Sequence, residues 1–176
     1  MIFVIMGIER FPFDRLVSCI DSLVESGKIV DAVFIQLGST TYEPRHCQWE
    51  RFLSFDKMRE NIEAATLIIA HAGAGTTLLC LTLGKKPILV PRKKEHKEHV
   101  DDHQVLFAKK MEELGYASVV WEVDRLINVI EIHSNNLESS PIAKPSQLNN
   151  YLETQVNSWR QLSARRNPWS RNLGGE

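Results

Sequence analysis

A stretch of apolar and small residues near the middle of the chain constrains the fold more than any other part of the sequence. Residues 65–70 form an uninterrupted run of β-branched and apolar residues, and residues 71–77 form a small-residue turn. An apolar segment then leads to Gly84 and a second apolar run at 87–91. Apolar runs separated in this way by turn residues are typical of a strand, a loop, a helix and a second strand. The stretch therefore predicts one βαβ unit.

The turn of this unit has the composition of an anion site. Gly73 and Gly75 carry no side chain, so backbone N–H groups can approach a ligand closely. Thr76 and Thr77 add hydroxyl groups where the helix is expected to start and its dipole is positive. The turn lacks the Gly-Lys-Ser/Thr of a nucleotide-triphosphate loop and the third glycine of a dinucleotide fingerprint. A phosphate ligand and a plain tight turn both remain open, and His71 either joins the site or caps the loop.

The same alternation of strands and helices continues on both sides of the central unit. It predicts a doubly wound, mostly parallel, Rossmann-like α/β sheet over residues 1–133, with ligands bound beyond the carboxyl ends of the strands. Residues 134–176 are expected to form a linker, a helix at 148–162 and a basic tail. Strands are predicted at 2–6, 31–37, 47–53, 65–70, 87–91 and 117–121, and helices at 13–26, 55–64, 78–84, 102–114 and, capped by Asp124, up to 132.

Composition and charge limit the possible partners. The formal net charge of −1 over 176 residues gives no general reason to expect a nucleic acid. Three isolated cysteines predict free thiols in a reducing cytoplasm and offer no zinc pattern. The first residues predict a strand rather than a signal peptide, and no apolar run approaches the roughly 20 residues needed to span a bilayer. Any work at a membrane is therefore expected to depend on recruitment.

A charged segment at residues 92–104 follows the central unit on the same predicted edge of the sheet. Arg92, Lys93 or a protonated histidine could supply countercharge to a diphosphate such as that of a nucleotide-sugar, although a solvated charged loop explains the segment equally well. His96, His99 and His103 have spacings that align metal ligands on a helix. The neighbouring lysines oppose a cation, so we expect no metal.

Three motifs together resemble a known family. They are His71-Ala-Gly-Ala-Gly-Thr, then Leu83-Gly-Lys-Lys-Pro-Ile-Leu-Val-Pro-Arg, then His99-Val-Asp-Asp-His-Gln. This combination resembles the C-terminal-domain type of glycosyltransferase family 28. More narrowly, it resembles the small donor-binding subunits of bacterial exopolysaccharide glycosyltransferases, which are related to the cytosolic subunit of the dolichol-linked GlcNAc transferase.

The resemblance implies one half of a GT-B enzyme that binds a UDP-sugar, needs no metal and depends on a membrane-anchored subunit for its lipid-linked sugar acceptor. The chain would work in the cytoplasm, at the inner face of the membrane to which that subunit recruits it. By similarity, the glycine turn would hold the diphosphate, the backbone at Phe55 would contact uracil, and Asp102, His103 and Gln104 would face the sugar. The implied donor-binding residues are Gly7, Phe55, His71, Gly73, Ala74, Gly75, Thr76, Thr77, Arg92, His99, Asp102, His103 and Gln104.

The sequence departs from this family in the first loop and in the helix after the glycine turn. Relatives often have Gly-Thr-His in the first loop, where this chain has Gly7-Ile8-Glu9, which leaves Glu9 as the general-base candidate of that loop, with His103 as a second catalytic candidate. Leu79 stands where many relatives have a ribose-binding glutamate. These changes keep open a non-catalytic nucleotide-sugar-binding or regulatory module. A nucleotide-sugar epimerase is disfavoured because such enzymes carry both GT-B halves in one longer chain.

Overall fold

The structure, a computed structural model, describes residues 1–135. Most of the predicted linker, the predicted helix at 148–162 and the basic tail lie outside the described residues. The strands are β1 (Ile2–Ile5), β2 (Val33–Gln36), β3 (Gln48–Glu50), β4 (Leu67–His71), β5 (Ile88–Val90) and β6 (Ser118–Val119). The helices are α1 (Asp14–Glu25), α2 (Phe55–Ala64), α3 (Ala74–Thr82), α4 (His103–Glu113) and α5 (Leu126–Asn135), with 3₁₀ turns at Lys94–His96 and Val123–Arg125.

The six strands form one parallel sheet in the order β3-β2-β1-β4-β5-β6. The chain builds the sheet outward from β1 in one direction, and then returns to the centre to build outward from β4 in the other. The order therefore reverses between β1 and β4, and the loops after these two strands diverge at the carboxyl edge. A crevice at such a reversal is the usual ligand site of a doubly wound fold. The predicted fold class is confirmed.

Apolar residues fill both faces of the central strands, as expected where helices cover a parallel sheet on each side. Val4 lies in register with Ile35 of β2 and Ile69 of β4, and all three are fully buried. On the other face, the rings of Phe3 and Phe34 stack at a centroid distance of 5.7 Å. This rigid centre fixes where the loops after β1 and β4 begin.

Local signals set most helix boundaries, and α3 and α5 differ most from the predicted ranges. Helix α2 begins where predicted because the Ser54 side chain accepts a hydrogen bond from Lys57 N. Helix α3 begins at Ala74, several residues earlier than predicted, because small residues in its first turn do not prevent helical geometry. Asp124 lies inside a 3₁₀ turn rather than at the cap of α5. Among residues 1–135, no helix combines the length and apolar character needed to cross a bilayer.

Candidate functional site

The His71 imidazole lies between two glycines at the point where the strand order reverses. His71 is the last residue of β4, not the first residue of the turn as the sequence indicated. A Cβ added to Gly7 would lie 2.5 Å from Cε1 of this ring, and one added to Gly73 would lie 2.2 Å from Nε2. The absence of side chains at these two glycines thus makes room for His71.

The N-terminus of α3 carries three amide groups that precede the first hydrogen bond of the helix. That first bond runs from Thr77 N to Gly73 O at 3.0 Å, so the N–H groups of Ala74, Gly75 and Thr76 have no acceptor within the helix. A Cβ added to Gly75 would meet no atom within 4 Å. The open space at Gly75 and the positive end of the helix dipole together suit an anion.

Two groups that the sequence assigned to the anion site are engaged inside the protein. The Gly73 N–H donates to His71 O at 2.8 Å. The Thr77 hydroxyl is buried and donates to Gly73 O at 2.9 Å, as hydroxyls in helices often bond a carbonyl one turn earlier. These groups complete the turn rather than face a ligand, so the available donors are confined to residues 74–76.

His71 is neutral at physiological pH and supplies no positive charge to this site. Burial is the main cause that lowers its pKa to about 4, the charge of Arg92 adds to the effect, and a hydrogen bond to Ile5 O opposes it. The Nδ1 atom lies 3.3 Å from Ile5 O, and because a carbonyl only accepts, Nδ1 carries the hydrogen. His71 therefore supplies no countercharge, and the prediction of a protonated histidine remains one for the charged segment at residues 92–104.

Arg92 is a buried structural residue rather than the exposed countercharge that the sequence suggested. It has no solvent-accessible surface, and its guanidinium donates to four main-chain carbonyls at 2.8 to 3.2 Å. Burial lowers its pKa to about 10, which leaves it charged at neutral pH. The bonds join the loop after β1 to the loop after β5, on either side of the glycine turn. The acceptors are the carbonyls of Met6, Phe11, Pro12 and Glu98.

The residues expected to face the sugar have different surroundings. Gln104 is buried, and its Oε1 accepts from Arg92 N at 3.2 Å, so that oxygen already has a partner inside the protein. Asp102 is exposed at the N-cap of α4, and its Oδ1 accepts from Lys94 N at 2.9 Å. His103 is exposed as the first residue of α4. Of the three, only His103 is exposed and has, among residues 1–135, no hydrogen bond from its side chain to another loop, so its ring is the side chain most accessible to a ligand.

The second and third histidines of the charged segment lie together with a carboxylate. The ligand atoms of His99, Asp101 and His103 are all within 4.8 Å of one another. His96, which the sequence grouped with the other two, instead has its Nε2 3.6 Å from a Glu95 carboxylate oxygen. The structure thus brings together His99, Asp101 and His103 at the start of α4, and the three histidines do not form one cluster.

The remaining predicted residues lie at the carboxyl edge on separate loops. Phe55 is the first residue of α2 and its side chain is exposed. Glu9 is exposed in the loop after β1. That loop touches the charged segment, because the ring of Phe11 lies 5.7 Å from the ring of His99 between centroids. The edge therefore holds Glu9 and His103 on neighbouring loops.

Two positioning residues were not found from the sequence. Gln36 accepts from Gly7 N at 2.9 Å and donates to Gly7 O at 3.0 Å, which fixes the backbone of the first loop. Arg15 of α1 holds the buried Glu98 carboxylate with two hydrogen bonds of 2.9 and 3.0 Å. A polar residue at the end of an apolar strand was the available signal for Gln36, whereas nothing local indicated that Arg15 and Glu98 pair across the fold.

This architecture, a doubly wound parallel sheet with a glycine-rich helix start at the reversal, defines a Rossmann-like α/β domain. Glycosyltransferases are among the solved structures that share this fold. The chain resembles MurG from Acinetobacter baumannii with a TM-score of 0.53 and 20% identity, over 77% of this chain and 41% of that one. It also resembles the glycosyltransferase of kitacinnamycin with a TM-score of 0.50 and 17% identity, and the match covers 75% of this chain and 34% of that one. These similarities support the fold.

The family follows from the sequence comparison. The glycosyltransferase family 28 C-terminal domain matches residues 1–157, and the chain belongs to this family. It is 31% identical over 124 residues to the human UDP-N-acetylglucosamine transferase subunit ALG13, which is 65% of this chain and 10% of that protein. The mouse protein of the same name is 30% identical over 115 residues, and the match covers 59% of this chain and 9% of the mouse protein. The chain spans about a tenth of the length of these relatives.

Proposed function

We propose that this chain is the UDP-sugar-binding subunit of a heteromeric, inverting glycosyltransferase that transfers a sugar to a lipid-linked acceptor during exopolysaccharide or other glycan assembly. The observation that carries the proposal is the N-terminus of α3. Three free amides and the open space at Gly75 lie at the strand reversal of a family 28 domain. Support for UDP and for a subunit role comes from the human and mouse relatives, which are named as subunits of a UDP-N-acetylglucosamine transferase.

The proposed chemistry needs a stabilised leaving group and a proton acceptor. The acceptor hydroxyl attacks the anomeric carbon, and the bond from that carbon to the diphosphate oxygen breaks with its electron pair leaving on UDP. Amides at residues 74–76 stabilise the charge that develops on the departing diphosphate. The hydroxyl proton passes to a side chain, for which Glu9 and His103 are the candidates on this chain. No step requires a metal ion.

A second subunit is proposed to supply the acceptor half of the enzyme and the membrane anchor, with this chain recruited from the cytoplasm. Three large apolar side chains support such a contact because they are exposed on segments that lie at the carboxyl edge of the sheet. Ile8 follows β1, Val100 precedes α4, and Leu106 lies in the first turn of α4. Exposed apolar groups that cluster on one edge of a domain are typical of a protein interface.

Calorimetric titration tests the donor site on this chain alone. We expect UDP and at least one of UDP-glucose, UDP-GlcNAc, UDP-galactose and UDP-glucuronate to bind, and Gly75→Trp to abolish binding. Thr82→Trp is the matched control, because Thr82 is exposed at the opposite end of the same helix. The affinity is expected to be unchanged by a chelator. Failure of every nucleotide to bind a folded chain would contradict the proposal.

A transfer assay tests the enzymatic role. The chain is co-expressed with a candidate membrane-anchored subunit, and transfer from UDP-sugars to a lipid-diphosphate acceptor is measured. We expect transfer with the pair, and its loss in Gly75→Trp but not in Thr82→Trp. UDP binding without transfer in any pairing would instead favour a non-catalytic nucleotide-sugar-binding or regulatory module.

A further inference from the structure

Asp101 belongs to the motif at residues 99–104 but received no role from the sequence, and it makes two contacts with His103. The backbone N–H of His103 donates to Asp101 Oδ1 at 3.2 Å. Nδ1 of the His103 ring makes a short hydrogen bond to the same carboxylate oxygen. Since an ionised carboxylate only accepts, the hydrogen in this bond belongs to Nδ1. One oxygen atom therefore fixes both the start of α4 and the ring of its first residue.

His99 restrains the same ring from a second direction. The rings of His99 and His103 meet edge to face with centroids 4.4 Å apart. His99 is itself buried and lies against Phe11, so its position is set by the fold rather than by solvent. The His103 ring is thus held by a carboxylate and by a packed aromatic neighbour, although it is exposed.

We propose that Asp101 is a positioning residue that keeps the ring hydrogen of His103 on Nδ1, so that Nε2 is the proton acceptor of the transfer reaction. This inference rests on the proposed function. Hydrogen bonds from the backbone and ring of His103 lower the pKa of Asp101, which is therefore charged at neutral pH. A histidine held by a carboxylate at one nitrogen and open at the other is a recurrent arrangement for proton transfer.

The proposed step balances without any further reactant. The acceptor hydroxyl gives its proton to Nε2 as its oxygen bonds to the anomeric carbon, and the electron pair of the broken bond leaves with UDP. The ring becomes an imidazolium with hydrogens on both nitrogens. The charged carboxylate of Asp101 stabilises this imidazolium, and the ring is reset when Nε2 releases the proton to water.

A hydrogen-bonded dyad explains the cluster better than a metal ion does. A cation bound by these three side chains would need a nitrogen lone pair from each histidine beside the carboxylate. The Asp101 N–H donates to His99 Nδ1 at 3.3 Å, and the His103 Nδ1 hydrogen points at Asp101. His99 Nδ1 also lies 3.1 Å from Asp101 Oδ1. The Nδ1 atoms of both rings are therefore engaged with Asp101, which leaves only their Nε2 atoms for a cation, and the measurements below distinguish the two cases.

Nitrogen NMR of the histidine rings tests the inference without any activity. In the wild-type chain we expect the neutral His103 ring to carry its hydrogen on Nδ1, and Asp101→Ala to shift it toward Nε2. Asp101→Asn should retain the wild-type form, because its Oδ1 can still accept from both His103 groups. An Nε2–H ring in the wild type would overturn the inference, as would stoichiometric Zn²⁺ binding that is lost in His99→Ala, Asp101→Ala and His103→Ala.

Kinetics of the assembled enzyme test the consequence for transfer. We expect Asp101→Ala to lower kcat on the order of 10²-fold while KM for the UDP-sugar changes little. Asp101→Asn should recover part of the loss, and Glu95→Gln, which removes an exposed charge from the same loop, should have no effect. An active pair whose kcat is unchanged by Asp101→Ala contradicts this inference alone. A pair that never transfers sugar contradicts the proposed function, while the NMR result stands independently.

Discussion

The His71 imidazole occupies the space that a side chain on Gly73 would need, since an added Cβ would lie 2.2 Å from Nε2. Gly73, which the sequence assigned to the anion site together with Gly75, is therefore required first by packing. Gly75, two residues later, has open space around it, since an added Cβ would meet no atom within 4 Å. The two glycines of one motif have separate physical roles.

Alanine substitutions should separate these roles. We expect Gly73→Ala to lower the free energy of unfolding by about 1–3 kcal/mol, because the buried ring cannot move away without disturbing its neighbours. Gly75→Ala should leave it unchanged or slightly higher, since alanine favours helix more than glycine does. Urea unfolding of the two variants measures the difference. Equal destabilisation by both substitutions would contradict the assignment.

Stability should depend on pH through His71. Because burial lowers its folded pKa to about 4 from an ordinary 6.5, the unfolded chain binds the proton more readily between these values. The stability that comes from keeping His71 neutral is fully present above pH 6.5 and is lost as the pH falls toward 4. We expect a loss of about 2 kcal/mol between pH 7 and pH 5 from this residue. Urea unfolding at both pH values measures it, and the loss should shrink in His71→Asn. A wild-type stability that is flat over this range would contradict the prediction.

Arg92 should be intolerant of a change that keeps its charge. Lysine cannot reproduce the planar donor arrangement that bonds four carbonyls from two loops. We expect Arg92→Lys to lower the free energy of unfolding by about 2–4 kcal/mol, since buried carbonyls would lose partners. Lys94→Arg, at an exposed position in the same segment, is the control. A cost under about 1 kcal/mol for Arg92→Lys would show that charge alone suffices.

Asp21 should anchor the loop between β2 and β3. Its buried carboxylate accepts from Arg45 N and His46 N and from the Tyr42 hydroxyl. Burial opposes the charged form, but these hydrogen bonds outweigh it and lower the pKa of Asp21. We expect Asp21→Ala to destabilise the fold by about 2–3 kcal/mol and Tyr42→Phe by about 1 kcal/mol, measured by urea unfolding. Equal destabilisation by the two substitutions would mean that the hydrogen bonds from Arg45 N and His46 N contribute little to stability. The stabilisation from Asp21 is present above its ordinary pKa and is lost as pH falls through the lowered one.

Local patterns in the sequence were sufficient to predict the fold class. Apolar runs of strand length, helical spacing in α1 and the Ser54 cap of α2 act within a few residues, so each element could be predicted where it lies. The order of elements then restricted the topology to a parallel doubly wound sheet. The motifs at residues 71–76 and 99–104 identified the family, which the match over residues 1–157 confirmed.

The sequence by itself determined the elements and the family, and it placed the candidate site at the carboxyl edge of the sheet, because these depend on short-range pattern. Only the tertiary structure decided what individual charged and polar groups do there. Arg92 has the same sequence signature as an exposed phosphate ligand, and its burial depends on carbonyls from a loop about eighty residues away. Asp101 and His103 meet because the backbone turns into α4 between them. Such contacts depend on distance in space, which residue type and spacing do not encode.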